Sequence, residues 1–177
     1  MAIKPKILFL IPSLACGGTE KVISTLINHW DGEKFDILLG VNSKEIPFYP
    51  ITNTPVSITI FGKSRVRYTW IMLLKLIWKE RPDYIFSVLD FTRLMILLKP
   101  FIPTSCKLIA RESNYLFEWL SPSQKLLSQY LYSNIDLLVV QSALMEQHII
   151  QYLPEIAPRT LVIPNPIDTA LVRKLAQ

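Results

Sequence analysis

Residues 6–30 read KILFLIPSLACGGTEKVISTLINHW, and the change of period inside this stretch decides the fold. From Lys6 to Pro12 the run is almost continuously apolar, as in a strand buried on both faces. From Thr19 onward the period lengthens, and Val22, Ile23, Leu26, Ile27 and Trp30 share one face of a helix. Between the two lie Gly17 and Gly18, with Glu20 and Lys21 directly after. A strand that hands over to a helix through a double glycine is either a tight turn or a loop built to hold an anion. In a turn, the glycines accommodate positive φ and Glu20 is favourable in the first helical turn. In a cradle, they let the backbone approach a ligand, while the helix N-terminus offers unpaired N–H groups and a positive dipole end suited to a diphosphate.

The same alternation continues along the chain. FDILLGV and SITIF read as strands, separated by a loop with Pro47, Pro50 and Pro55. A helix is expected over Tyr68–Lys79, then a strand YIFSVL, a short helix FTRLMILLK ended by Pro100 and Pro103, and a strand KLIARES. Ser121 begins a helix over Pro122–Tyr132, DLLVVQS is a strand, and ALMEQHIIQYL is a helix stopped by Pro154. TLVIP is a last strand, and NPIDTALVRKLA opens a new helix. Strands rich in Ile, Leu and Val alternating with helices imply an α/β fold: a Rossmann-like, doubly wound, mainly parallel sheet of about seven strands with helices on both faces. Ligands bind at the carboxyl ends of such strands. The shortlist is therefore Ser13–Thr19, Asn42–Glu45, Phe61–Ser64, Leu89–Thr92, Arg111–Asn114, Gln141–Ser142 and Asn165–Asp168.

Composition narrows the class. The chain has 177 residues, of which 50% are hydrophobic and 19% charged, which is the balance of an ordered globular domain. The net charge of +5 could favour phosphates or an anionic membrane surface, but no dense Lys/Arg block marks a nucleic-acid arm. WIMLLKLIW and LMILLKPFI are short and carry Lys75 and Lys99, against the roughly 18 apolar residues that a membrane span needs. No secretory leader is legible at the N-terminus, so a cytoplasmic protein, soluble or apposed to the inner face of the plasma membrane, is expected. Cys16 and Cys106 fall at opposite ends of a parallel sheet, too far apart for a disulfide, and two free thiols suit a reducing compartment. With no paired cysteines and only His29 and His148, a metal centre is not expected.

Competing motifs fail on spacing. A dinucleotide fingerprint needs Gly-x-Gly-x-x-Gly and an acid ending the second strand; here that strand ends in GVNS and Asp36 lies at its other end. The GKS of Gly62–Ser64 resembles a P-loop terminus, but the glycine required five residues earlier is replaced by Ser57, inside a strand. No Ser-His-Asp set stands out, since His29 lies late in a helix and His148 mid-helix.

GGTEKVISTLINHW after a buried first strand, DLLVVQSALMEQHI, and LVIPNPID occur in this order across almost the whole chain. Together they resemble the N-terminal, acceptor-side domain of retaining glycosyltransferases of the two-Rossmann-domain type (glycosyltransferase family 4), which includes glycogen synthase-like and lipopolysaccharide- or capsule-building enzymes. The resemblance implies a nucleoside-diphosphate sugar donor in a cleft between two Rossmann-like domains, and a glycan or lipid-linked acceptor on the N-terminal domain. It implies that Gly17, Gly18, Thr19 and Glu20 lie against the donor diphosphate, and that Asn165 and Asp168 lie near the junction with the second domain. An Asn/Pro turn with Asp168 capping the next helix fits the same spacing. Ser142 belongs to the Asp…Ser element. Where many members carry a histidine after the fifth strand, this chain has Arg111, Glu112 and Asn114; Arg111 could bind a phosphate or pair with a neighbouring carboxylate. No cofactor is implied: the nucleotide sugar is a substrate, and the binding loop requires no metal.

Residues 1–177 are thus expected to form a single Rossmann-like domain, with the donor-binding C-terminal domain absent from this chain and little transferase activity without it. The partners expected are the donor, the acceptor and that second domain, with no nucleic acid. The segment Lys63–Arg81 combines six cations with Trp70, Leu73, Leu74, Ile77 and Trp78; it could rest on anionic lipid, or bury its apolar face on the sheet while the cations line the wet side. An alternative reading of the whole is a non-catalytic sugar- or nucleotide-binding module, or one chain of a two-subunit transferase.

Overall fold

The computed structural model describes residues 4–53, 55–113, 121, 128–169, 172 and 173. Seven strands, β1 (Lys6–Ile11), β2 (Asp36–Val41), β3 (Val56–Ile60), β4 (Tyr84–Val88), β5 (Lys107–Glu112), β6 (Leu137–Val140) and β7 (Thr160–Val162), form one sheet in the order β3-β2-β1-β4-β5-β6-β7. Every pairing is parallel. β1 is central because its KILFLI has no polar face to show water: five of its six residues are buried. Its register, Lys6 beside Asp36 and Ile7 beside Tyr84, aligns the carboxyl ends of three strands into one edge.

Among the described residues, four complete helices cover the two faces. Helix α1 (Gly18–Asn28) packs Ile23 and Ile27 onto Ile7, Phe9, Ile11 and Leu39. Helices α2 (Trp70–Glu80), α3 (Asp90–Leu98) and α4 (Ala143–Tyr152) pack Leu73, Ile77, Met95 and Ile149 onto the opposite face, against Leu8, Leu10, Ile85 and Leu108. Each fully buried Leu or Ile contributes about 1.5–3 kcal/mol from removal of apolar surface from water. The doubly wound α/β fold is therefore the one read from the alternation of strands and helices.

Local chemistry moves some boundaries. The helix expected from Tyr68 begins at Trp70, after a 3₁₀ turn at Val66–Thr69, because the Thr69 hydroxyl donates back to the Val66 carbonyl at 2.7 Å. Trp30 lies beyond the end of α1 rather than on its face, yet its ring still meets Phe9 edge-on at 5.6 Å. Of the helix expected over Pro122–Tyr132, residues 128–132 are helical and 122–127 lie outside the described residues. At the amino edge, Asp136 accepts from Lys99, Lys107 and the Leu108 amide, and although partial burial pushes its carboxyl up, these donors hold it below the ordinary carboxylate value. That brace locks the start of β5 to the turn before β6.

Candidate functional site

The carboxyl edge begins at the double glycine. Gly17 is the N-cap of α1 in an extended conformation (φ −161°, ψ 159°), and no side chain caps the helix. Neither glycine has positive φ, so the left-handed turn reading of this loop is set aside. The two glycines are small for different reasons. A Cβ on Gly17 would collide with the carboxylate of Glu20, which folds back over the loop and accepts from the Ser13 hydroxyl at 3.5 Å. Among the described residues a Cβ on Gly18 would meet nothing within 4 Å. The start of α1 is therefore open beside Gly18 and covered by Glu20 beside Gly17, and its first N–H groups have no partner inside the helix and carry the positive end of its dipole.

Other residues reach the same edge. The Thr19 hydroxyl lies 3.2 Å from that of Ser113, tying the start of α1 to the chain leaving β5. The Leu14 carbonyl accepts from the amides of Phe48 and Tyr49, which folds the loop after β2 onto the glycine loop. Tyr49 is held more basic than an ordinary phenol, first by desolvation and then by the nearby Cys16 thiol and Glu20.

Arg111 and Glu112 end β5 and point to opposite faces. Arg111 is only 4% exposed. Its Nη2 donates to Asn165 Oδ1 at 2.7 Å, while Nη1 has no partner among the described residues. Burial lowers its basicity, and the Glu112 charge partly restores it. It is the charged group in an otherwise apolar groove of about 270 Å³, formed with Phe9, Trp30, Phe86 and Ile109. Glu112 is 5% exposed on the other face and accepts from the Tyr132 hydroxyl at 2.7 Å. Burial pushes its carboxyl up to about 7, against the pull of Tyr132, Arg93 and Arg111. The Tyr132 phenol is pushed well above its ordinary value by the same burial and by the facing carboxylate.

The remaining candidates fall in two groups. Ser142 caps α4, its Oγ accepting from the Met145 amide at 3.3 Å. Asp168 places its carboxylate 3.6 Å from His29 Nε2, and its carbonyl accepts from the Val172 amide as at the start of a helix. Asn114 lies outside the described residues. The structure thus gathers Gly17, Gly18, Thr19, Glu20, Arg111 and Asn165 around the α1 side of the edge, and puts Glu112 behind β5.

A second concavity was not anticipated. On the α2–α3 side, a cleft of about 630 Å³ is lined by Pro12, Asn42, Asp90, Arg65, Arg67 and Arg93, among others. Asn42 and Asp90 are on the sequence shortlist, but the arginines lie just past it. Arg65 and Arg67 look like solvated cations of an amphipathic helix, and Arg93 is hidden within the apolar run FTRLMILLK.

No protein-family model matches the chain, and no curated protein matches it. Solved structures do. Anabaena HepE in complex with UDP and glucose is 17% identical, with a TM-score of 0.63 over 97% of this chain and 50% of that one. The lipopolysaccharide outer core galactosyltransferase WaaB, in its apo form, is 14% identical, with a TM-score of 0.63 over 92% of this chain and 46% of that one. A UDP-N-acetylglucosamine 2-epimerase from Rickettsia bellii is 14% identical, with a TM-score of 0.56 over 98% and 48%. The chain spans about half the length of these proteins. At such identities the likeness is one of fold: a Rossmann-like domain of the kind found in glycosyltransferases and in a sugar-nucleotide epimerase.

Proposed function

We propose that this chain is the acceptor-side domain of a retaining glycosyltransferase of family 4 type, moving a sugar from a nucleoside-diphosphate donor to a glycan or lipid-linked acceptor in cell-surface polysaccharide or lipopolysaccharide synthesis. The observation that carries this reading is the room over Gly18, where an uncapped helix start opens toward the carboxyl edge of a parallel sheet. Gly17, Gly18 and Thr19 present backbone N–H groups to the donor diphosphate, while Glu20 braces the loop from within. Arg111 has an unused guanidinium N–H at the same edge, and Asn165 orients it. The domain's contribution to the chemistry is positioning, together with electrostatic help to the departing diphosphate. A second, donor-binding domain supplies the remaining nucleotide contacts, so the domain alone is inactive.

Helix α2 bears on where the acceptor comes from. Its Leu73 and Ile77 are buried in the core, yet Trp70 and Trp78 each remain 48% exposed beside Tyr68 and Ile71. Arg67 lies 5.1 Å over the Tyr68 ring and Arg81 4.7 Å over Trp78, a cation-and-aromatic surface suited to an anionic bilayer on the cytoplasmic side. Among the described residues no helix is long and apolar enough to cross a membrane.

The test is donor screening by saturation-transfer NMR on the longest native polypeptide containing this chain, with an epimerisation assay on UDP-N-acetylglucosamine run alongside. Binding of one nucleotide sugar, and transfer from it with retained anomeric configuration, is expected. Silence with every donor, or C2 epimerisation without transfer, would sink the reading. Flotation with phosphatidylglycerol vesicles tests the membrane surface, where equal retention on neutral and anionic vesicles counts against it.

A further inference from the structure

We propose that the cleft on the α2–α3 side binds a phosphoryl group carried by the acceptor, gripped by Arg65, Arg67 and Arg93. The inference deepens the transferase reading and rests on it.

The first support is charge. Three guanidiniums line the cleft, and the carboxylate that answers them there is Asp90, 3.7 Å from Arg93. Among the described residues neither Arg65 nor Arg67 has a carboxylate within ion-pair distance. Two positive charges are left over, which matches the roughly −1.5 to −2 of a phosphate monoester near neutral pH, or about −2 of a lipid-linked pyrophosphate, and exceeds the single charge of a carboxylate. Guanidinium forks also fit phosphate oxygens bidentately.

The second support is anchoring. Asn42 is buried just past the end of β2, and both ends of its amide bond the loop after β3. Its Nδ2 donates to the Lys63 carbonyl at 2.9 Å, and its Oδ1 accepts from the Lys63 amide at 3.1 Å. The backbone leading into Arg65 is therefore fixed. Arg67 is steadied by donating to the Tyr68 hydroxyl at 3.1 Å. Arg93 rides on α3 one turn after a corner at Leu89, whose φ of +54° is rare for a leucine and turns the start of that helix toward the cleft.

The third support is placement. Pro12, Asn42, Ser64 and Asp90 follow β1, β2, β3 and β4, so the cleft spans four strand ends of the same carboxyl edge that holds the glycine loop. It lies on the α2–α3 face, whereas Gly17 and Gly18 open on the α1 face. The chain leaving β1 separates the two. A donor diphosphate on one side and an acceptor phosphate on the other would leave the edge between them for sugar transfer. The exposed aromatics of α2 adjoin the cleft through Arg67 and Tyr68, as a phosphate-linked acceptor entering from a lipid surface requires.

The experiment is arginine side-chain and glycine amide NMR on the chain, titrated separately with inorganic phosphate, pyrophosphate, glucose 1-phosphate, glucuronate and UDP. Saturable shifts at Arg65, Arg67 and Arg93 with the phosphates are expected, with glucuronate at least about tenfold weaker. Arg159, which donates to the Ser133 and Ile135 carbonyls at the opposite edge, should not move. Arg65→Gln and Arg93→Gln should each weaken phosphate binding about tenfold, the loss of one charge-assisted contact, while Lys34→Gln at the amino edge should not. Vesicles containing phosphatidylglycerol separate the sources. Retention abolished by the two arginine variants assigns the phosphate to a lipid-linked acceptor, and soluble binding without retention assigns it to a water-soluble one. Vesicle retention without any saturable phosphate shift overturns the proposal, as does glucuronate binding equal to phosphate, or equal weakening by Lys34→Gln. If UDP moves Gly17 and Gly18 while the three arginines stay silent toward every phosphate, the cleft fails and the transferase reading stands. Responding arginines with silent glycines uphold the cleft and remove the donor loop.

Discussion

Glu112 makes the stability of this domain fall as pH rises through neutrality. Its carboxyl is lifted from an ordinary 4.5 to about 7, first by burial, while the Tyr132 hydroxyl, Arg93 and Arg111 favour the charged form less strongly. The folded state therefore holds a proton that the unfolded chain releases from about pH 4.5 upward. The stabilisation is fully present below that pH and is lost as pH climbs through about 7. At about 1.4 kcal/mol per tenfold change in proton affinity, the difference amounts to about 3 kcal/mol. For a domain of this size that is a fall of about 6–12 °C in Tm. Asp31, Glu80 and Asp136 are shifted the other way, so their contributions change only at more acid pH and do not confuse the window from pH 5 to 8. Glu112→Gln keeps an oxygen to accept from Tyr132 and removes the titration. Urea unfolding at pH 5 and pH 8 should show wild type losing about 3 kcal/mol and the variant under about 1. A variant that falls as steeply as wild type, or a wild type that is flat across the window, refutes the assignment to Glu112.

Four further outcomes follow from the same geometry. Gly18→Ala should leave Tm unchanged or raised by up to about 1 kcal/mol in stability, because its methyl enters empty space, yet weaken nucleotide-sugar binding about tenfold or more by displacing a phosphate oxygen; thermal unfolding and titration on the longest native polypeptide read the two apart. Gly17→Ala should instead lose about 1 kcal/mol, since Glu20 must swing off the loop and release Ser13. Asp136→Ala should cost about 2–3 kcal/mol in urea unfolding, because it strands Lys99 and the Leu108 amide, whereas Asp31→Ala, whose partner Lys34 is largely exposed, should change stability by less than about 0.5. Arg111→Met should leave stability within about 1 kcal/mol, since the groove around it is apolar, while reducing donor affinity; a large loss of stability would make the arginine structural instead.

The sheet was legible because burial on both faces leaves a strong mark: runs such as KILFLI and DLLVV admit little else. What escaped were effects carried by single atoms. The two-residue delay of α2 comes from one hydroxyl on Thr69, and the role of Gly17 depends on where a side chain three residues later folds. Arg111 meets Asn165 across 54 residues of sequence, a pairing that no local pattern encodes. The raised carboxyl of Glu112 comes from burial that only the folded chain creates, and its hydrogen-bond partner Tyr132 lies 20 residues away in sequence. Arg93 looked like a polar interruption of an apolar helix until the fold set it beside Arg65 and Arg67.

The strand order has a consequence for how the molecule assembles. Because β1, the earliest of the seven strands in the chain, is an inner strand, third in the sheet order, the sheet grows outward from it, on one side through β2 and β3, then on the other through β4 to β7. The half built around α1 can close while the ribosome is still making the rest, and each later strand docks on an edge already waiting for it. Damage early in the chain should therefore abolish both halves at once. Damage in β7, an edge strand of three residues, should fray only the rim.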